Sequence, residues 1–195
     1  MNARVTRAVK KRRIVLGLVI SAVTFGLALP FTFVMLAKWL DRLLGFPPIL
    51  AEGTATILSA AFLLIGLVWV TWSYSFIVFA GKGSPVEAFG VALEPTRQLV
   101  TSGPYAYVRH PMVFGFLWAL LGVAFLRRSV SGVVLALVFA LAVWAHLVIW
   151  EERGLADRFG EEYIRYRDNV RALIPHLSPY SPPQSADEPP PDAKR

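Results

Sequence analysis

Cysteine is absent from all 195 residues. That excludes disulfides, thiolate nucleophiles and cysteine metal sites together. Histidine occurs three times, at positions 110, 146 and 176, with no His-Glu-x-x-His spacing, so no metal site is expected. There is no phosphate loop, no Gly-x-Gly-x-x-Gly run and no nucleophile elbow, which removes the sequence signals of nucleotide-fold and serine-hydrolase chemistry. Charge is also thin. Asp, Glu, Lys and Arg make up 17% of the chain, against about a quarter in soluble domains.

What fills the space is apolar: 55% of the residues are hydrophobic. Three long stretches carry no Asp, Glu, Lys or Arg: 14–37, 54–80 and 129–150. Each exceeds the roughly 20 residues that cross a bilayer as a helix. A fourth stretch, 111–126, has 16 residues and would reach about 24 Å as a helix, with Arg127 and Arg128 able to snorkel from its end. The expected fold is therefore all-α: an integral membrane helical bundle of about four transmembrane helices. The short link between the last two spans makes them an antiparallel hairpin. The 14–37 run is longer than a signal-peptide core and is read as a retained span.

Punctuation between the spans is clear. Pro30 should kink the first span or mark a local break. The segment 41–53, with Gly45, Pro47 and Pro48, reads as a short external loop, and 81–110 as a long, loop-rich connection. After Trp150 a polar segment begins in which Leu155, Phe159, Tyr163 and Tyr166 recur every three or four residues. This spacing predicts an amphipathic helix, with Gly160 interrupting it or ending its first part. The Pro-rich tail, 178–195, is expected to be disordered. The domain organisation is thus a basic N-terminus at 1–13, a membrane domain at 14–177 and the tail.

The net charge of +7 does not point to nucleic acid. Six basic residues (Arg4, Arg7, Lys10, Lys11, Arg12 and Arg13) precede the first span with no acid among them. Beside a membrane span, such a cluster is a topology signal or a lipid-headgroup contact. It puts the N-terminus in the cytoplasm. Four spans then bring the C-terminus and the 81–110 connection to the same side.

Two polar constellations carry chemistry. In Gly103-Pro104-Tyr105-Ala106-Tyr107-Val108-Arg109-His110-Pro111, Pro111 suits the first position of a helix. Arg109 and His110 would then stand at the N-terminal mouth of a membrane helix, where open N–H groups favour an anion. Arg109 adds a bidentate cationic fork. The plainer alternative is an interfacial belt of Tyr and Arg at a helix start. The second constellation is Glu151-Glu152 at the end of the last span. These carboxylates either end the helix in water or pair with a cationic ligand. His146 is read as a buried, hydrogen-bonded core histidine, with a role towards substrate as the alternative.

Taken together and in order, these residues resemble a known family. Gly103-Pro104-Tyr105, Arg109-His110-Pro111, Gly115, Glu151-Glu152 and Phe159-Gly160-Glu161-Glu162-Tyr163-x-x-Tyr166 resemble the isoprenylcysteine carboxyl methyltransferases. The wider group includes phospholipid and thiol methyltransferases. The resemblance covers about residues 95–177. It implies a site for S-adenosylmethionine built from Arg97, Gln98, Leu99, Val100 and Tyr105, from His110, Pro111, Met112 and Val113, and from Glu151. It implies chemistry at Arg109, His110 and Glu152. Two positions depart from the isoprenylcysteine pattern. Val113 stands where a tyrosine is often found, and Leu147 where an arginine holds the substrate carboxylate.

The expected function is methyl transfer from S-adenosylmethionine to a lipophilic or small acceptor, whether a carboxylate, an amine or a thiol. The implied partners are membrane lipid and that acceptor. An amine would need a base, for which Glu152 and His146 are candidates. The rival readings are a non-catalytic membrane lipid-binding or assembly protein, and a transport subunit. The four stretches hold no intramembrane Asp, Glu, Lys or Arg, which argues against ion or proton transport.

Overall fold

The computed structural model describes residue 19, residues 23–80 and residues 99–182. The basic N-terminus, the start of the first span, Arg97, Gln98 and the tail beyond 182 lie outside the described residues. Within them the chain is all helical, with no strand. Four apolar helices form the body: α1 (Leu29–Leu44), α2 (Glu52–Ala80), α3 (Pro111–Leu126) and α4 (Val130–His146). Two short polar helices follow, α5 (Glu152–Phe159) and α6 (Glu161–Asn169).

Two continuous helical stretches are long and apolar enough to cross a membrane: Glu52–Ile77, and Val130–Phe159, which runs from α4 through α5. α3 is apolar but shorter. The first span stays helical through Pro30 but changes its winding just ahead of it. A π turn over Thr24–Ala28 leads directly into α1, with the Leu29 N–H donating to the Thr24 carbonyl. Widening the turn just ahead of a proline makes room for its ring and its missing N–H.

α2 and α3 form the tightest pair. Their contact is made by Gly66 on one helix and Gly115 and Gly122 on the other, with Ala119 between. A Cβ added to Gly66 would sit 2.7 Å from the Gly115 carbonyl oxygen, and one on Gly122 would meet the Leu63 backbone nitrogen at 2.9 Å. Backbone-to-backbone approach of this kind is what holds helices together where no hydrophobic gain is available between them. An aromatic ladder lines the same seam: Phe62 and Phe114 each stack edge-on against Trp118, and Phe114 meets Trp69.

α3 and α4 form the expected hairpin, and Phe116 meets Phe139 across it. Phe33 of α1 joins Leu120, Ala124 and Ala136 in the core between α1, α3 and α4. At the hairpin end these elements are tied by polar groups. The Ser129 hydroxyl donates to Asp41 Oδ2 at 2.5 Å, and the Ser131 N–H donates to Asp41 Oδ1 at 2.9 Å. Ser129 also caps α4 by accepting from the Gly132 N–H. Arg128 Nε donates to the Leu50 carbonyl.

Several boundaries differ from expectation. The loop read at 41–53 begins at Gly45, because Asp41 stays helical with its carboxylate satisfied and Gly45 ends α1 at φ +67°. The last span does not stop at the glutamates. A π turn over Leu147–Glu151 carries the helix into α5, where Glu152 is buried against Arg109. Gly160, at φ +56°, does separate α5 from α6. Tyr180 lies inside the segment read as a structureless tail, yet its N–H donates to the Ala106 carbonyl at 2.8 Å and its ring meets Tyr166. His146 is not a core histidine. It is exposed and its ring lies 5.3 Å from that of Trp150, because the packed stripe of α4 runs through Gly132 and Ala136 to Leu147.

Candidate active site

The segment before α3 is irregular, and its shape follows from two residues. Gly103 has φ +62°, and the Phe76 ring occupies the place its Cβ would take; only glycine fits there. Pro104 then starts a 3-10 turn, Gly103–Ala106. Through the turn and on to α3 burial alternates, with Pro104, Ala106, Val108 and His110 inward. The segment is laid along residues 171–180 by backbone hydrogen bonds. The N–H groups of Arg109 and His110 donate to the carbonyls of Arg171 (2.9 Å) and Ala172 (3.1 Å), and the His176 N–H donates to the Tyr107 carbonyl (2.8 Å). The Tyr166 hydroxyl donates to the Tyr105 carbonyl at 2.7 Å. Beneath lies a small core of Tyr163, Tyr166 and Val170, against which Leu99, Leu155, Phe159 and Tyr180 pack. The predicted aromatic stripe on α5 and α6 is the face that makes this core.

These ties bring four polar side chains together at the mouth of α3. Arg109 Nη2 lies 2.6 Å from Glu152 Oε1, and Arg109 Nη1 donates to the Arg167 carbonyl at 2.6 Å near the C-terminal end of α6. His110 stands between two carboxylates. Its Nδ1 is 3.6 Å from Glu151 Oε1, and its Nε2 is 3.7 Å from Glu152 Oε1. At those distances the polar groups face one another but are too far apart for good hydrogen bonds. The π turn just before them bears on this placement, because π turns concentrate at functional sites.

The cluster is buried, yet its hydrogen bonding is incomplete. Arg109 Nε, His110 Nε2, Glu152 Oε1 and the Tyr163 hydroxyl have no hydrogen-bond partner. Glu152 Oε1 has Arg109 beside it, so its charge is matched without a well-directed hydrogen bond. Buried polar atoms are normally paired; beside the matched Glu152 Oε1, three in this cluster (Arg109 Nε, His110 Nε2 and the Tyr163 hydroxyl) are not. The tyrosines around it stay protonated. Burial pushes up the hydroxyls of Tyr105, Tyr163 and Tyr166, helped by the negative Glu151 at Tyr105 and by Glu152 at Tyr163. They are neutral hydroxyls rather than phenolates at any physiological pH.

The sequence-predicted residues are distributed as follows. Arg109, His110, Glu151 and Glu152 converge. Tyr105 is adjacent, within the field of Glu151. Pro111, Met112 and Val113 are buried in the first turn of α3, whose N-terminus no side chain caps. Leu99 packs on the tyrosine core and Val100 is half-buried. His146 points away. The charge of Arg109, read together with the helix mouth as a place for an anion, lies against Glu152. The segment 171–180 and the Tyr163 hydroxyl were missed. The latter had a signal, because tyrosine rather than phenylalanine stands at a stripe position that is fully buried.

The chain is similar to known proteins over the region that holds this cluster. The model of the family described as phospholipid methyltransferase matches residues 54–162, from the start of α2 to the start of α6. The chain is 31% identical over 156 residues to a protein-S-isoprenylcysteine O-methyltransferase of Rattus norvegicus, covering 77% of this chain and 52% of that one. It is 34% identical over 132 residues to methanethiol S-methyltransferase 2 of Bradyrhizobium diazoefficiens, covering 60% and 48%. Over 81 residues it is 42% identical to the Schizosaccharomyces pombe isoprenylcysteine enzyme, covering 40% and 33%. The chain therefore spans a third to about half the length of these curated relatives. No solved structure matches. Since the matched region exceeds half of the chain and contains both convergent constellations, the chain belongs to the phospholipid methyltransferase family.

Proposed function

We propose that the chain is a membrane methyltransferase that uses S-adenosylmethionine and acts on a lipophilic or small acceptor. The observation that carries this reading is the buried polar cluster at the mouth of α3, where His110 is bracketed by Glu151 and Glu152 and several polar atoms are unpaired. The names of the relatives, isoprenylcysteine and methanethiol methyltransferases, support the same class.

The residues present fit the methyl donor. Glu151 keeps 23% of its side chain exposed, against 6% for Glu152, so it can be reached by an ammonium or sulfonium. Tyr105 offers a ring beside it. The uncapped first turn of α3, at Met112 and Val113, offers N–H groups to a carboxylate. Arg97, Gln98, Leu99 and Val100 complete the set that the family resemblance implies. When bound, the cofactor supplies a methyl group already activated as a sulfonium substituent.

The chain's own task is then to align, exclude water and manage a proton. The segment 171–180, hydrogen-bonded along residues 106–110, and the tyrosine core exclude water on one side. The Arg109–Glu152 pair fixes the helix end against the mouth of α3. A carboxylate acceptor needs no base. A thiol or amine acceptor must lose a proton, and His110 Nε2, unpaired and flanked by carboxylates, is placed to take it.

We infer that α1 and α3 complete a four-span bundle with the two long helices, that residues 14–177 form one membrane domain, and that both termini lie on the cytoplasmic side. A lipophilic acceptor then enters from the bilayer while the donor enters from water. The test is calorimetric titration of S-adenosylmethionine into the full chain in nanodiscs, beside a folded Glu151→Gln variant. Saturable binding that the variant weakens at least tenfold is expected. A folded wild type that binds nothing overturns the reading and leaves a non-catalytic lipid-binding or assembly protein.

A further inference from the structure

Residues 171–177 form a strap that has no regular structure and carries two exposed apolar side chains. Ile174 is 61% exposed and Leu177 fully so. Single exposed leucines are ordinary; the position of this pair is not. The strap's depth is fixed by hydrogen bonds. The His110 N–H donates to the Ala172 carbonyl at 3.1 Å, and the next residue, Pro111, begins the apolar α3. The His176 N–H donates to the Tyr107 carbonyl, so the strap is held at both ends against the residues that lead into that helix. Its backbone therefore lies one hydrogen bond from the point where the chain enters its apolar layer.

The charge next to the strap is mostly positive. From Ile164 to Leu177 there are three arginines (Arg165, Arg167 and Arg171) against Asp168, which pairs with Arg167 at 3.4 Å; Glu161 and Glu162 stand at the other end of α6, away from the strap. The three arginines are exposed. Exposed aromatic residues on the long helices, Trp72 and Tyr74 on α2 and Trp144 and Trp150 on the last span, have the amphipathic rings found at headgroup level. Apolar side chains flanked by arginines at the end of apolar helices are the composition of a segment lying in a bilayer interface.

We propose that the strap is a membrane-surface anchor, with Ile174 and Leu177 inserted among the lipids of the leaflet on the site's side and Arg165, Arg167 and Arg171 at the anionic headgroups. The inference rests on the membrane location of the helices and not on methyl transfer. It has a consequence for the site. The carbonyls that hold the backbone of Arg109 and His110 belong to the strap, so lipid seating and the order of the polar cluster are coupled.

The absence of native cysteine makes the test direct. Single cysteines at Ile174 and Leu177 are spin-labelled in the full chain, in nanodiscs of phosphatidylcholine and phosphatidylglycerol. Leu137→Cys on the exposed face of α4 and Asp157→Cys on α5 serve as lipid and water references. Circular dichroism checks that each variant is folded. Labels at 174 and 177 are expected to collide with oxygen in preference to a water-soluble nickel chelate, as at 137 and opposite to 157. Preference for the nickel chelate overturns the anchor and places the strap in water. Exclusion of both reagents also overturns it, and points to a second copy of the chain or another protein over the strap. Neither of those results touches the cofactor titration.

Discussion

Arg109 and Glu152 meet at 2.6 Å with about a tenth or less of either side chain exposed, and this pair joins the mouth of α3 to the first residue of α5. Removing one member leaves the other buried and charged, which costs on the order of 3–5 kcal/mol, whereas replacing both by apolar groups is often near neutral. Glu152→Gln should therefore lower the thermal midpoint sharply in detergent. Arg109→Met with Glu152→Leu should recover much of the loss. The recovery stays partial, because Arg109 also donates to the Arg167 carbonyl. Single variants as stable as the wild type would mean the pair is not held in solution.

The two inner tyrosines separate a structural hydroxyl from an idle one. The Tyr166 hydroxyl donates to the Tyr105 carbonyl, while the Tyr163 hydroxyl is buried without a partner. Tyr166→Phe should cost about 1 kcal/mol, the usual net worth of such a bond. Tyr163→Phe should leave stability unchanged or slightly raise it. If the Tyr163 hydroxyl serves the cofactor space instead, its loss will appear in the affinity for S-adenosylmethionine. Chemical denaturation of both variants, followed by titration, distinguishes these roles.

The sequence made the apolar architecture legible because long uncharged runs allow few other structures, and the Phe159–Tyr163–Tyr166 stripe identified the face that α5 and α6 bury. Where helices end was harder to read. Glu151 and Glu152 look like a helix terminus when only the local chain is considered. Their partners Arg109 and His110 are some 40 residues earlier, and that pairing lets the helix continue. Asp41 misleads in the same way, since the Ser129 and Ser131 groups that keep it helical are 88 and 90 residues away. The pairing of Arg109 with Glu152 was out of reach for the same reason: periodicity finds faces, while the partner of a single charge depends on the tertiary fold.

Asp41 also gives stability a pH dependence. Burial tends to raise its carboxyl, but hydrogen bonds from Ser129 and Ser131 outweigh this and hold it below the ordinary carboxylate value. A depressed folded-state value stabilises the fold at pH above the unfolded value, about 4. That contribution is lost as pH falls through the folded value. Thermal midpoints measured from pH 6 down to pH 3 should fall more steeply for the wild type than for Asp41→Asn. Parallel curves would show that Asp41 is not held by the two serines.

The glycine seam between α2 and α3 is the most sharply testable part of the fold. A methyl group at Gly66 would sit 2.7 Å from the Gly115 carbonyl oxygen and 2.8 Å from the Ala119 nitrogen, both backbone atoms that cannot turn aside. The helices must then separate, which loosens the aromatic ladder of Trp69, Phe114 and Trp118. Gly66→Ala should destabilise by about 1–3 kcal/mol, the range for overpacking a tight contact. Gly53→Ala, on the same helix with nothing within 4 Å, is the control and should be neutral or mildly stabilising, because alanine favours the helix. The seam also bears on the site. α2 carries Phe76, which occupies the space beside Gly103, and α3 begins at Pro111, directly after His110, so a shift between the two helices should weaken binding of S-adenosylmethionine as well as lower the thermal midpoint. Loss of stability with binding unchanged would show that the mouth of α3 is held by the strap alone.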